Sequence, residues 1–187
     1  MIQPVSTENE LLACFDKDGH DIEPRKRSEL HAKPYVIWHG VADIWIVNEK
    51  GEILCSRRSL GVHGNPGKWQ TFFGGHVRAG DAFLDTALRE LEEEVGIIAH
   101  SEKLLLVELG TFEEHKHFYQ KFVYFFDVQK ERWNFQDGEV INAQWFSFQD
   151  YWQDRISNSE KWCNGMNEEQ YKAVLQKIGN LRGEDSH

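Results

Sequence analysis

The spacing of hydrophobic and polar residues along this chain changes period several times, and each change marks an element. Near the start, LLACFDKDGHDIEP places two short apolar runs about Asp18-Gly19, a dipeptide suited to a tight turn, and predicts a hairpin. The polar RKRSELHAK predicts a short helix or loop. HGVADIWIVN is apolar on both pleat faces, so it predicts a central strand with Ala42, Ile44 and Ile46 on one side and Val41, Trp45 and Val47 on the other. A turn at 48–51 returns the chain into EILCSRR, and a loop rich in glycine and proline, SLGVHGNPGK, leads to a short strand in WQTFF. The period then lengthens to that of a helix, with Leu84, Leu88, Leu91 and Val95 forming an apolar stripe. Asp81 is the predicted N-cap and Gly96 the left-handed C-cap. Strands follow around KLLLVELG, HFYQKFVYFFDV and INAQWFSF, then helices in FQDYWQDRIS and MNEEQYKAVLQKI and a frayed polar tail, GEDSH.

Strands, one helix, more strands and then helices predict an α/β (α+β) fold, an α/β/α sandwich with a mixed sheet rather than a doubly wound parallel one. At 187 residues the chain fits one domain. Its expected parts are an N-terminal extension with the hairpin over about 1–33, a core over 34–147, and C-terminal helices and tail over 148–187.

The helix carries the chemistry. Glu90, Glu93 and Glu94 stand three and four residues apart, so they project from one face, expected opposite the apolar stripe, and repel one another, near a helix end whose dipole also disfavours anions. A hard divalent cation offsets that charge best, and oxygen-only ligands select Mg2+ or Mn2+ over zinc. The alternative is a solvated acidic face, which is what most glutamate runs are.

The segment from residue 75 to 97, GHVRAGDAFLDTALRELEEEVGI, resembles the Nudix box, with Gly75 opening it and Arg89, Glu90, Leu91, Glu93, Glu94, Gly96 and Ile97 closing it in register. Asp81 departs from that pattern, standing where the family has its first Glu. RSELH, HGVADIWIVNEKGEILCSRRS, NPGKW and GGHVRAG extend the likeness to the branch related to isopentenyl-diphosphate isomerase, over about 11–160.

The resemblance implies a metal-dependent hydrolase, in which a metal-activated water attacks the diphosphate linkage of a nucleoside diphosphate derivative or similar organic pyrophosphate. By position it makes Glu93 and Glu94 metal ligands and Glu90 a ligand or the general base. The carbonyl of Gly74 or Gly75 would complete the shell, and Arg89 would orient the carboxylates. Arg57 or Arg58, ending a strand before the box, would grip a substrate phosphate, and strand alternation lets only one of them face the site. His76 is a further candidate for substrate contact. Glu113, Glu114, Asp137 and Glu139 are candidates for an additional acid, with Glu139 favoured because it stands just before a strand. Trp69, Phe112 and Trp133 are candidates to stack on a base, against the commoner fate of core packing.

Two other readings compete. An isomerase of that branch places a cysteine before the Gly-His pair; here Gly74 precedes Gly75-His76. His31, His39 and His76 do resemble histidines that such enzymes use for a second metal. The other reading is a Nudix binding domain that has lost catalysis, which the intact glutamates disfavour and Asp81 keeps open.

Composition narrows the setting. The net charge of -10 argues against a nucleic acid polymer as partner and suits a small diphosphate substrate carried with a cation. Cys14, Cys55 and Cys163 match neither a disulfide framework nor a zinc spacing. With no apolar run of membrane-spanning length and no signal pattern, the expectation is a cytoplasmic protein without a membrane partner, as monomer or homodimer.

Overall fold

In the computed structural model, residues 7–62, 64–126, 133–135, 138–163 and 165–182 are described. The GEDSH tail and Asp137 lie outside them. The first hairpin pairs β1 (Leu11–Phe15) with β2 (Asp21–Lys26). Its turn is held by the Asp16 carboxylate, which accepts the backbone N–H groups of Asp18 and His20 at 2.8 and 3.0 Å, with Gly19 in the left-handed region. The short helix α1 (Arg27–Leu30) follows.

The long strand β3 (Trp38–Asn48) organises the sheet. It pairs antiparallel with β1, with β4 (Ile53–Arg58) and with β6 (Phe73–His76), and parallel with β8 (His117–Phe126). β5 (Trp69–Gln70) and β9 (Val140–Phe146) join β4, and β7 (Leu104–Phe112) joins β8. One nine-stranded mixed sheet results. WQTFF, expected as one strand, divides between β5 and β6, because Trp69-Gln70 pairs with β4 whereas Phe73 turns to pair with Ile44.

Helices cover both faces. Helix α2 (Phe83–Val95) packs on Ala42, Ile44, Ile46, Leu54 and Phe73 through Ala87, Leu91 and Val95. Trp45 and Val47 point the other way, into a second core with Tyr151 of α3 (Phe148–Ser157) and Val174 and Ile178 of α4 (Glu168–Arg182). The two-sided burial read from HGVADIWIVN is thus the two faces of β3, and the architecture is the α/β/α sandwich with a mixed sheet. Each fully buried aliphatic side chain contributes ~1.5–3 kcal/mol. Among the described residues, no helix is long and apolar enough to cross a membrane.

Two local expectations for α2 need correction. Its N-cap is Ala82 rather than Asp81, and the Asp85 carboxylate accepts the Ala82 backbone N–H at 3.1 Å. The chain first completes a turn over 78–81, where the Asp81 N–H donates to the Arg78 carbonyl at 3.0 Å with Gly80 in the left-handed region, and the helix starts after it. Leu84 and Leu88 are only half-buried, whereas Glu90 and Glu94 are buried beside Leu91. The acidic face therefore lies next to the apolar stripe, under β6, instead of opposite it.

Because Leu91 has no exposed surface and sits between α2 and β3, Leu91→Ala is expected to cost ~2–5 kcal/mol. Leu88→Ala should cost clearly less; urea midpoints for the two variants measure the difference.

Candidate active site

The site is built where β6 crosses α2. Gly74 and Gly75 pair with Asp43 and Ala42 of β3, and the helix runs close beneath them. A Cβ on Gly75 would collide with the Glu90 carboxylate, and one on Gly74 would collide with the Ala42 carbonyl oxygen. Gly74 also has φ +146, a backbone conformation that L side chains rarely adopt. Both glycines are there because backbone takes the space a side chain would need.

Arg89 is the electrostatic centre of the carboxylates. Its Nη1 donates to Glu90 Oε1 at 2.7 Å and to Glu93 Oε2 at 3.0 Å, so one nitrogen bridges two acids instead of forming a fork on one. Glu94 Oε2 accepts the Gly74 N–H at 2.9 Å. Arg78 Nη2 stands 4.0 Å from Glu93 and its Nε pairs with Glu10, tying the N-terminal segment to the site. Burial pushes Glu90 up to about 7; the Arg89 charge opposes the rise, and the charges of Glu93 and Glu139 add to it. Three glutamates are gathered here with Arg89 and, at 4.0 Å from Glu93, Arg78 as counter-charges, a net negative group. A hard dication fits that deficit and that donor set. Glu90 and Glu93 are held by Arg89, whereas Glu94 is held by the Gly74 N–H.

The remaining candidates separate. Glu139 is close enough for its charge to act on Glu90, and its carbonyl accepts the Ser59 N–H at 2.7 Å. Glu113 pairs with Lys116 and Glu114 is exposed in the same turn. Arg57 is exposed and donates to the Gly67 carbonyl at 3.1 Å. Arg58 turns inward, donating to the Gly64 carbonyl at 2.8 Å and to Gln70 Oε1 at 3.3 Å. Trp69 packs on Phe146 and Trp162, and Trp133 packs on Phe126 and Trp145 in the core. Phe112 borders an open cleft.

That cleft, of about 580 Å³, lies on the face of β3 away from α2. Val41, Asp43 and Trp45 of β3 and His117, Tyr119 and Lys121 of β8 line it, with Arg58, Gln70 and Phe72 to the side. Beside it is a histidine cluster. The ligating nitrogens of His31, His39 and His76 lie within 4.8 Å of one another, and His31 Nε2 stands 3.1 Å from His76 Nε2. His39 Nε2 and His76 Nδ1 are buried with no hydrogen-bond partner. The ring of His117 contacts that of His39 at 4.5 Å between centroids. His76 thus belongs to this cluster, and its imidazoles suit a borderline transition metal better than Mg2+. Asp43, Arg78, Gln70 and His117 were not singled out from sequence. The alternation His115, His117, Tyr119 was a visible signal for the last, but only pairing with β3 gives it neighbours.

The family model for the NUDIX domain matches residues 38–162, and the chain belongs to the Nudix family. A Nudix hydrolase of Pseudomonas aeruginosa, itself uncharacterised, is 36% identical over 97 residues, covering 52% of this chain and 56% of that one. An isopentenyl-diphosphate Delta-isomerase of Streptomyces griseus is 31% identical over 101 residues, or 54% of this chain and 49% of that one. The chain spans about half the length of these two curated relatives. A crystal structure of a Deinococcus radiodurans protein shares the fold with a TM-score of 0.65 at 18% identity, over 90% of this chain and 98% of that one.

Desolvation lowers His39 to about 4 and His117 to about 3, from the 6.5 of a free imidazole. Between those values the unfolded chain binds more protons than the folded one, so stability is full above about 6.5 and falls with pH below it. Urea midpoints in a chelator should drop from about pH 7 to pH 5, and His39→Asn combined with His117→Asn should flatten the drop; a level wild-type midpoint contradicts this. Calorimetry with Zn2+ or Ni2+ should detect one site, weakened at least about tenfold by His39→Ala.

Proposed function

We propose that this protein is a divalent-metal-dependent hydrolase of a diphosphate linkage in a nucleoside diphosphate derivative or a similar small organic pyrophosphate. The observation that carries the reading is the Arg89-bridged pair Glu90 and Glu93, with Glu94 anchored on the Gly74 N–H beside them. Family membership supports it.

Glu93, Glu94 and the carbonyl of Gly75 are the groups that would hold Mg2+ or Mn2+. The cation supplies charge neutralisation on the phosphate oxygens and an acidified water. Glu90 is the group we assign to take the proton from that water. It is buried, it is positioned by Arg89, and its value near 7 suits proton transfer at neutral pH. Arg89 orients both acids through its Nη1. Glu139 adds a further carboxylate whose charge reaches Glu90. Arg58, at the end of β4 and paired with Val140 next to Glu139, is the group we assign to receive a phosphate.

The isomerase reading requires a side chain at position 74. The backbone here excludes one, since even a Cβ meets the Ala42 carbonyl. Loss of catalysis would leave Glu90, Glu93 and Arg89 without a reason to crowd together at a cost in repulsion.

The test is a panel of nucleoside di- and triphosphates, nucleotide sugars, dinucleotides and isoprenoid diphosphates with Mg2+ or Mn2+, followed by released phosphate and nucleotide. At least one should be cleaved, and Glu93→Gln should lower the rate about a hundredfold or more. Cleavage of none of them overturns the hydrolase, and conversion of isopentenyl diphosphate to its allylic isomer without hydrolysis replaces it.

A further inference from the structure

The cleft behind β3 combines apolar walls with one unanswered polar group. Val41, Trp45, Phe72, Phe112 and Tyr119 supply flat or apolar surface. At the floor, Asp43 makes no hydrogen bond or ion pair among the described residues, although three polar neighbours surround it. Lys121 is taken by Glu108 at 3.1 Å and lies over the Tyr119 ring, 4.5 Å from its centre. Tyr119 and Gln170 also donate to Glu108, at 2.7 and 2.8 Å. Glu108 thus collects the donors that could have satisfied Asp43. Half-buried and facing the cleft without a protein donor among the described residues, this carboxylate is open to accept hydrogen bonds from a ligand. Neither the Nudix box nor the histidine cluster uses it.

The cleft also adjoins the carboxylates. Asp43 is the β3 partner of Gly74, whose N–H holds Glu94, so the two sites back onto one strand pair. Arg58 lines the cleft and stands by the start of β9 next to Glu139. A ligand lying in the cleft with its phosphates towards Arg58 would direct its far end across the aromatic surface to Asp43.

We propose that Asp43 is a specificity-determining residue, accepting the adjacent N–H donors of an aromatic heterocycle carried by the diphosphate, the edge that a guanine-type ring presents. Two free carboxylate oxygens side by side complement two adjacent donors. A cleft of about 580 Å³ has room for a nucleoside and its phosphates. The assignment rests on the hydrolase reading for the identity of the attached diphosphate, while the cleft itself is a binding claim.

Binding is therefore measured with nucleoside 5′-monophosphates, which have no diphosphate to cleave. Calorimetry near pH 8 keeps Asp43 ionised, since burial holds it at about 7. The wild type should bind guanosine monophosphate at least about tenfold tighter than the inosine, adenosine or uridine forms. Asp43→Asn, of the same shape, should abolish that preference, whereas Glu93→Gln should keep it while losing cleavage. Equal affinities, a preference for another base, or a preference that survives Asp43→Asn overturns the proposal. The guanosine preference without cleavage of any diphosphate would sink the hydrolase alone; cleavage without the preference would sink the role of Asp43 alone.

Discussion

The rest of the site depends on the close approach of the β6 backbone to α2 at Gly74 and Gly75. Two successive residues without side chains let the strand lie against the helix face that carries Glu90 and Glu94. This contact strips water from Glu90, anchors Glu94 on a main-chain N–H and leaves Arg89 as the counter-charge within reach. Without it, the acids would form a solvated face with no shared geometry.

The same strand pair divides two chemistries. On the α2 side are hard oxygen donors suited to Mg2+ or Mn2+; on the other side are buried imidazoles and a cleft with an unpaired acid. Both are expensive for the fold. Crowded glutamates repel, neutral buried histidines resist protonation, and Asp43 faces the cleft without a donor among the described residues. The two apolar cores that clamp the sheet from α2 and from α3 and α4 supply the stability that tolerates them. Such costs are concentrated where ligands are expected to bind.

Much of this could be read directly from residue order. The strand HGVADIWIVN declared its two buried faces through its nearly continuous apolar run, and the C-cap at Gly96 followed from local preference. The N-cap was misplaced by one residue because Asp81 closes a turn in which Gly80 takes the left-handed position, and an aspartate is favoured in a turn as much as at a cap. Burial of Glu90 and Glu94 beside the apolar stripe was missed for another reason: periodicity counts charged residues as outward, whereas a glycine-bearing strand overhead can cover them.

By itself, the sequence determined the Nudix box, its helix and the grouping of Glu90, Glu93 and Glu94, because three- and four-residue spacing on a helix is a local property of the chain. It also set the order of strands and helices from which the sandwich follows. Only the tertiary structure decided that Arg89 bridges two acids, that Arg58 rather than Arg57 turns inward, and that Asp43 faces a cleft. It alone brought His39 beside His117, and His31 beside His76. Those neighbours come from different elements, and their contact is created by the parallel register of β3 with β8 and by the fold of α1 against β6. No spacing within one segment encodes a partner that another segment must deliver.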